Sequence, residues 1–190
     1  MKKLTIILSI FVSLTAFTAL SDVWKNDDAH SQMAFTVTHL GVADVTGTFN
    51  DFDVTVTSKK ADFSDAVFEL TANVSSIDTR VEMRDNHLLS ADFFDAAKYP
   101  VIQFKSTSIK KNGKNKYKLT GNLAMHGITR QVTMDLLYRG TVENAMNKKQ
   151  TAGFQLTGTL KRSDFGIGPN FPPPMISDEV RIKADGEFFQ

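Results

Sequence analysis

Four histidines, His30, His39, His87 and His126, are the residues best suited to acid–base or metal chemistry. Their spacing fits neither HExxH nor HxH, so no metal site is expected. The chain has no cysteine, which excludes disulfides, thiolate catalysis and zinc–cysteine sites. His30 adjoins Ser31, with Asp27 and Asp28 just before it. A Ser–His–Asp triad needs convergence in space, which adjacency does not supply, and there is no GxSxG elbow. His39 falls on the apolar parity of a strand pattern, where a lone histidine is more often a hydrogen-bonded core residue than a ligand. Arg80, Arg84 and Asp85 form a charged cluster with two readings. It is either surface charge, with Arg80 and Arg84 as like-charge neighbours one helical turn apart, or a polar rim over a pocket mouth. Asp164-Phe165-Gly166 spells a kinase triplet, but no glycine-rich nucleotide loop accompanies it.

The elements that would position these residues are almost all strands. From Ser31 onward, Met33, Phe35, Val37 and His39 share one face. Val45, Gly47 and Phe49 start a second strand, and Phe52, Val54 and Val56 continue it on the other parity. That phase shift predicts a bulge near Asn50-Asp51. Phe68, Leu70, Ala72 and Val74 form the third strand. Residues 79–104 interrupt the pattern with a helix, an aromatic turn and a return to strand at Ile102 and Phe104. Thr79 with Glu82 predicts a capping box. Val81, Leu88 and Leu89 give the helix an apolar face, and it should stop before Tyr99-Pro100. Asn112-Gly113 and His126-Gly127 mark turns. Strands follow around Leu119, Met134, Leu156 and Ile182, and residues 163–177, rich in Gly and Pro, should lack regular structure. Small inward residues (Gly47, Ala72, Gly121, Gly158, Ala184) either leave space or mark bends.

The chain is 190 residues long with a formal net charge of +1, enough for one domain and too neutral for a nucleic-acid binder. Fifteen Phe against one Trp and three Tyr supply apolar bulk without polar tips. Lys2 and Lys3 precede an apolar run, and Ala19 and Ser21 fit a cleavage site. Residues 1–21 are therefore expected to be a signal peptide, with 22–190 the exported domain and the periplasm its location. An uncleaved anchor is the alternative.

A further signal is the order of short motifs. They include Asp28-Ala29-His30-Ser31, Phe35-Thr36-Val37-Thr38-His39-Leu40-Gly41 and Ser76-Ile77-Asp78-Thr79. Arg84-Asp85-Asn86-His87-Leu88-Leu89, Tyr99-Pro100, His126-Gly127-Ile128-Thr129, Ser163-Asp164-Phe165-Gly166 and Ile176-Ser177-Asp178-Glu179-Val180 follow. Together they resemble the YceI-like family of exported, lipocalin-like polyisoprenoid-binding proteins. The resemblance implies an all-β fold: an extended eight-stranded antiparallel β-barrel with one short helix between the third and fourth strands. It implies no cofactor, a bound isoprenoid or fatty-acid-like lipid, a homodimer, and transient contact with a membrane or membrane protein. On that reading the apolar pocket draws on Phe35, Val37, Phe49, Phe68, Leu70, Ile102, Phe104, Leu123, Leu136, Phe154, Phe165 and Ile167. His39, Arg84, His87 and Asp164 are the candidates for the polar headgroup. Two alternatives stay open: a lipid-modifying enzyme using His39 or His87, and a filled barrel without ligand.

Overall fold

The structure is a computed structural model that describes residues 21–190. The signal peptide expected over residues 1–21 lies, apart from Ser21, outside the described residues. The strands are β1 (Asp22–Asn26), β2 (Gln32–His39), β3 (Ala43–Phe49), β4 (Phe52–Ser58), β5 (Val67–Asn73), β6 (Ile77–Asp78), β7 (Val101–Lys111), β8 (Lys116–Met125), β9 (Ile128–Glu143), β10 (Gln150–Lys161) and β11 (Glu179–Phe189), with one helix, α1 (Glu82–Leu89).

These strands make a closed eight-stranded antiparallel barrel. The eight arise because several strands lie end to end. β11 pairs with β2 through Ile182↔Phe35 and with β1 through Asn26↔Phe188, so β1 and β2 form one interrupted stave. β3 and β4 form the next, pairing with β2 and β1 in turn. The break between them is Asn50-Asp51, where the apolar parity changes. Asn50 N donates to Ser76 O, and Asn73 N donates to Asp51 O. β5 and β6 share the third stave, with β6 held on β3 by Phe49↔Ile77. From β7 to β11 each strand pairs with the next. The β8–β9 hairpin turns on His126 (φ 51°) and Gly127 (φ 72°), both left-handed, as a tight two-residue connection requires.

β1 escapes the sequence pattern. Only Trp24 and Asn26 of its five residues are buried, which is too short an alternation to read. The link from β1 to β2 is a single turn, Asp28–His30, capped by Asp27, whose side chain accepts from Ala29 N. His30 Nδ1 donates to Asp27 Oδ2 at 2.9 Å. That bond is the main cause that raises the His30 pKa above 6.5 and lowers the Asp27 pKa below 3.8. The His30 contribution is complete below pH 6.5 and is lost as pH rises through its raised value. The Asp27 contribution is complete above pH 3.8 and is lost as pH falls through its lowered value. The pair is thus strongest between those limits. A proton NMR titration should show His30 titrating above an ordinary histidine, and Asp27→Asn should return it to the ordinary range.

The inward glycines neither empty the lumen nor merely bend the wall. They let large neighbours lie flat on the sheet. A Cβ at Gly47 would stand 2.4 Å from the Phe35 ring, and one at Gly158 would stand 2.0 Å from Met134 Sδ. At Gly121 it would meet the Phe104 ring at 2.4 Å and the Lys105 carbonyl at 2.5 Å. Backbone cannot swing aside as a side chain can. Gly121→Ala should therefore cost about 1–3 kcal/mol by overpacking, read from urea denaturation.

Two expectations for residues 79–90 are corrected. The capping box is absent: the N-cap of α1 is Val81, without a side-chain cap. Arg80 has φ 65°, so the chain turns through a left-handed residue before the helix starts. Thr79 is buried, and its N and Oγ1 donate to Asp85 Oδ1 at 2.8 and 2.5 Å. Of the expected apolar face, Leu88 and Leu89 pack inward, whereas Val81 is exposed. Residues 163–177 are also less irregular than expected, since a single 3₁₀ turn, Arg162–Phe165, opens them and ends at left-handed Gly166.

Candidate functional site

The barrel encloses a cavity of about 520 Å³, walled by inward side chains of both buried clusters. A water-sized group occupies roughly 30 Å³, so there is room for on the order of 17 methylene-sized groups. One end is solid. Trp24, Phe63 and Phe154 pack edge to face there, with Trp24–Phe63 centroids 5.4 Å apart and Phe63–Phe154 centroids 4.9 Å apart, and Tyr117 is buried in the same cluster. The Tyr117 hydroxyl donates to the Asp62 carbonyl, and burial raises its pKa. Hydrogen bonds, first from Ser64 and then from Lys111, lower the Asp62 carboxyl to about 2.

The other end opens between the β2–β3 hairpin, α1 and the segment before β11. Its lining includes His39, Arg84, His87, Phe171 and Met175. Arg84 folds back over Thr79: Nε donates to Thr79 Oγ1 and Nη2 to Thr79 O, both at 2.7 Å. Among the described residues no carboxylate lies within salt-bridge distance of Arg84, and Nη1 has no protein acceptor. His87 lies 3.2 Å from Asp92, and its ring stands edge-on to Phe93 and Phe171, which stack on each other at 4.7 Å. His39 bridges Ile176 through the backbone.

Phe35, Val37, Phe49, Phe68, Leu70, Ile102, Phe104, Leu123, Leu136, Phe154 and Ile167 line the cavity, as do His39, Arg84 and His87. Phe165 and Asp164 do not. Phe165 is buried in the cluster that includes Phe93 and Ile167, and its carbonyl accepts from His126 Nδ1 at 2.9 Å. Asp164 is exposed, and its carbonyl accepts from Arg130 Nε. The remaining histidines lie apart, His126 edge-on to Tyr99 and His30 at the β1–β2 link. Ser31 Oγ donates to Glu187 O rather than to His30.

A YceI-like domain model matches residues 24–188. The chain belongs to the YceI-like family. It is 37% identical over 166 residues to a UPF0312 protein of Staphylococcus aureus strain N315, covering 85% of this chain and 94% of that protein. Among solved structures it resembles Burkholderia cenocepacia BcnA, with a TM-score of 0.75 and 27% identity over 85% of this chain and 98% of that one. It also resembles the Campylobacter jejuni YCEI protein, with a TM-score of 0.73 and 29% identity over 80% of this chain and 89% of that one. A polyisoprenoid binding domain from Saccharophagus degradans implicated in plant cell wall breakdown shares the fold, with a TM-score of 0.66 and 14% identity over 87% of this chain and 97% of that one.

The sequence reading missed one central residue of this YceI-like mouth. Arg162 is 8% exposed, lines the cavity, and donates to the carbonyls of Ser177, Ile167, Gly168, Phe171 and Ile176. The available signal was parity: Phe154, Leu156, Gly158 and Leu160 point inward, and Arg162 is the next residue on that face. Thr79, Phe93, Phe94, Phe171 and Met175 also join the lining from segments without a period.

Proposed function

We propose that this YceI-like barrel carries or buffers a long-chain amphiphile, an isoprenoid or a fatty-acid-like lipid, held tail-inward in the cavity. The observation that supports it is an apolar lumen of about 520 Å³ with His39, Arg84, His87 and Arg162 lining its open end. Each buried methylene contributes about 0.8 kcal/mol, so ten supply roughly 8 kcal/mol before ordering costs. Affinity therefore needs no charged contact, and the mouth sets selectivity. On this reading Arg84, whose Nη1 has no acceptor among the described residues, donates to the polar head. The polyisoprenoid named for the S. degradans domain is one member of this ligand class. The N-terminal stretch supports export to the periplasm, and the role is binding without catalysis. The homodimer implied by the resemblance belongs to the same reading.

Purified protein extracted with organic solvent and examined by mass spectrometry should release a long-chain lipid, and stripped protein should take one up again. Protein that is clean as purified and accepts no isoprenoid or fatty acid would sink the proposal. Arg84→Met should weaken binding of a ligand with a polar head about tenfold to a hundredfold, the loss of one charge-assisted hydrogen bond, and leave a plain hydrocarbon unaffected.

A further inference from the structure

The mouth is ringed by apolar side chains that the fold leaves in solvent. Leu40 and Val42, at the tip of the β2–β3 hairpin, are 55% and 85% exposed. Met83, in the first turn of α1, is 83% exposed, and Val81 and Met175 are about half exposed. These residues belong to one contiguous rim. Leu40 N donates to Met175 O at 3.1 Å, and His39 bridges Ile176, which ties the hairpin tip to the 171–176 segment. Phe171 meets the His87 ring at 5.4 Å, which ties that segment to α1. The cavity opens onto His39, Arg84, His87 and Met175, inside this ring.

We infer that this rim is a docking surface for a lipid bilayer, seating the mouth on the membrane so that the ligand passes without crossing water. The inference rests on the carrier reading above. Three observations select a bilayer over a protein partner. A long tail in transit through water loses about 0.8 kcal/mol per methylene, so a rim that excludes water must surround its path. The apolar residues come from a turn tip, a loop and the first turn of a helix rather than from one continuous groove, a form suited to shallow insertion among lipid headgroups. Exposed Arg80 stands among them, with a stem that can lie along apolar surface while its charge reaches lipid phosphates. Glu82 is on the same rim, so apolar insertion, rather than net charge, drives docking. At the opposite end, Val142 and Met146 are just as exposed on the β9–β10 hairpin, but the barrel behind them is packed shut. They provide the control.

The test uses vesicles of phosphatidylethanolamine with phosphatidylglycerol, loaded with an anthroyloxy-labelled fatty acid. Wild-type protein should float with the vesicles, and the probe should reach the barrel at a rate that rises with vesicle concentration. The double variant Val42→Asp, Met83→Asp should lower flotation and transfer rate about tenfold, because charge replaces inserted apolar surface. Its affinity for probe presented without vesicles should be unchanged, and Met146→Asp should match wild type. A transfer rate that is independent of vesicle concentration and equal in the double variant overturns the inference. So does a double variant that turns a dimer into a monomer in sedimentation while wild type fails to float, since the rim then covers a second copy. If wild type takes up no probe at all, the carrier reading falls, and flotation still decides the docking surface.

Discussion

Ala184→Trp should abolish ligand retention while leaving the barrel folded. Ala184 lies on β11 opposite Leu156 on one side and Met33 on the other, and all three line the cavity. An indole placed there displaces roughly five methylene-sized groups of tail. At about 0.8 kcal/mol each this removes about 4 kcal/mol of binding, close to a thousandfold in affinity. A large side chain forced into a packed core normally costs about 1–3 kcal/mol. Here the added volume enters space that is already open, so the urea midpoint should stay near wild type. Ala152→Trp is the contrast. Ala152 is fully buried in the solid end beside Phe154 and Phe188. That variant should lose stability by about 1–3 kcal/mol or more while the cavity stays clear. Extraction and titration with a long-chain fatty acid measure the first effect, and urea denaturation measures both. If Ala184→Trp binds as wild type does, the ligand does not lie in the lumen.

The barrel was legible because its walls obey a period of two. Phe35 and Val37, Phe68 and Leu70, and Phe154 and Leu156 announce the inner face by alternation, and these residues line the cavity. The change of parity at Asn50-Asp51 marks the right place but not the right feature: a bulge within one strand is expected there, whereas the stave breaks into β3 and β4. The reading failed where local letters competed with distant pairing. Thr79 and Glu82 spell a capping box. However, β6 is held extended on β3, and left-handed Arg80 follows Thr79. The helix therefore starts later, and Asp85 accepts the Thr79 hydrogen bonds instead. Loops fail differently. Phe165 and Asp164 lie in a segment with no period, so no face could be assigned to them. Their backbone carbonyls, bound by His126 and Arg130, fix the turn while their side chains point elsewhere than the lumen.

Arg162→Met should be among the most destabilising single changes in the protein, and its damage should be local. A guanidinium has five N–H donors. In this barrel every one is used by a carbonyl: Nε by Ser177 at 3.1 Å, Nη1 by Ile167 at 2.9 Å and Gly168 at 2.7 Å, and Nη2 by Ile176 at 3.1 Å and by Phe171. The 163–177 segment is wound around one cation, with carbonyl dipoles in place of its hydration. Asp178 feels that charge, but its oxygens accept from Ser163 N and Oγ. Methionine fills similar volume and takes a donor from five carbonyls, of which Gly168 O keeps the Phe171 N–H. Water can reach part of a surface segment, so the cost is about 3–5 kcal/mol rather than the sum of five separate losses. Arg162→Lys should rescue little, because a single ammonium cannot span carbonyls that a planar fork reaches. Urea denaturation gives the magnitude. Hydrogen exchange gives the location: the amides of Gly166, Ile167, Phe171 and Ser177 should lose protection, and those of β8 and β9 should keep it. Because Ile167, Phe171 and Ile176 wall the mouth, bound lipid should also dissociate faster. A variant that is destabilised uniformly, with these amides no worse than the sheet, would show that Arg162 supports the barrel as a whole rather than the shape of its opening.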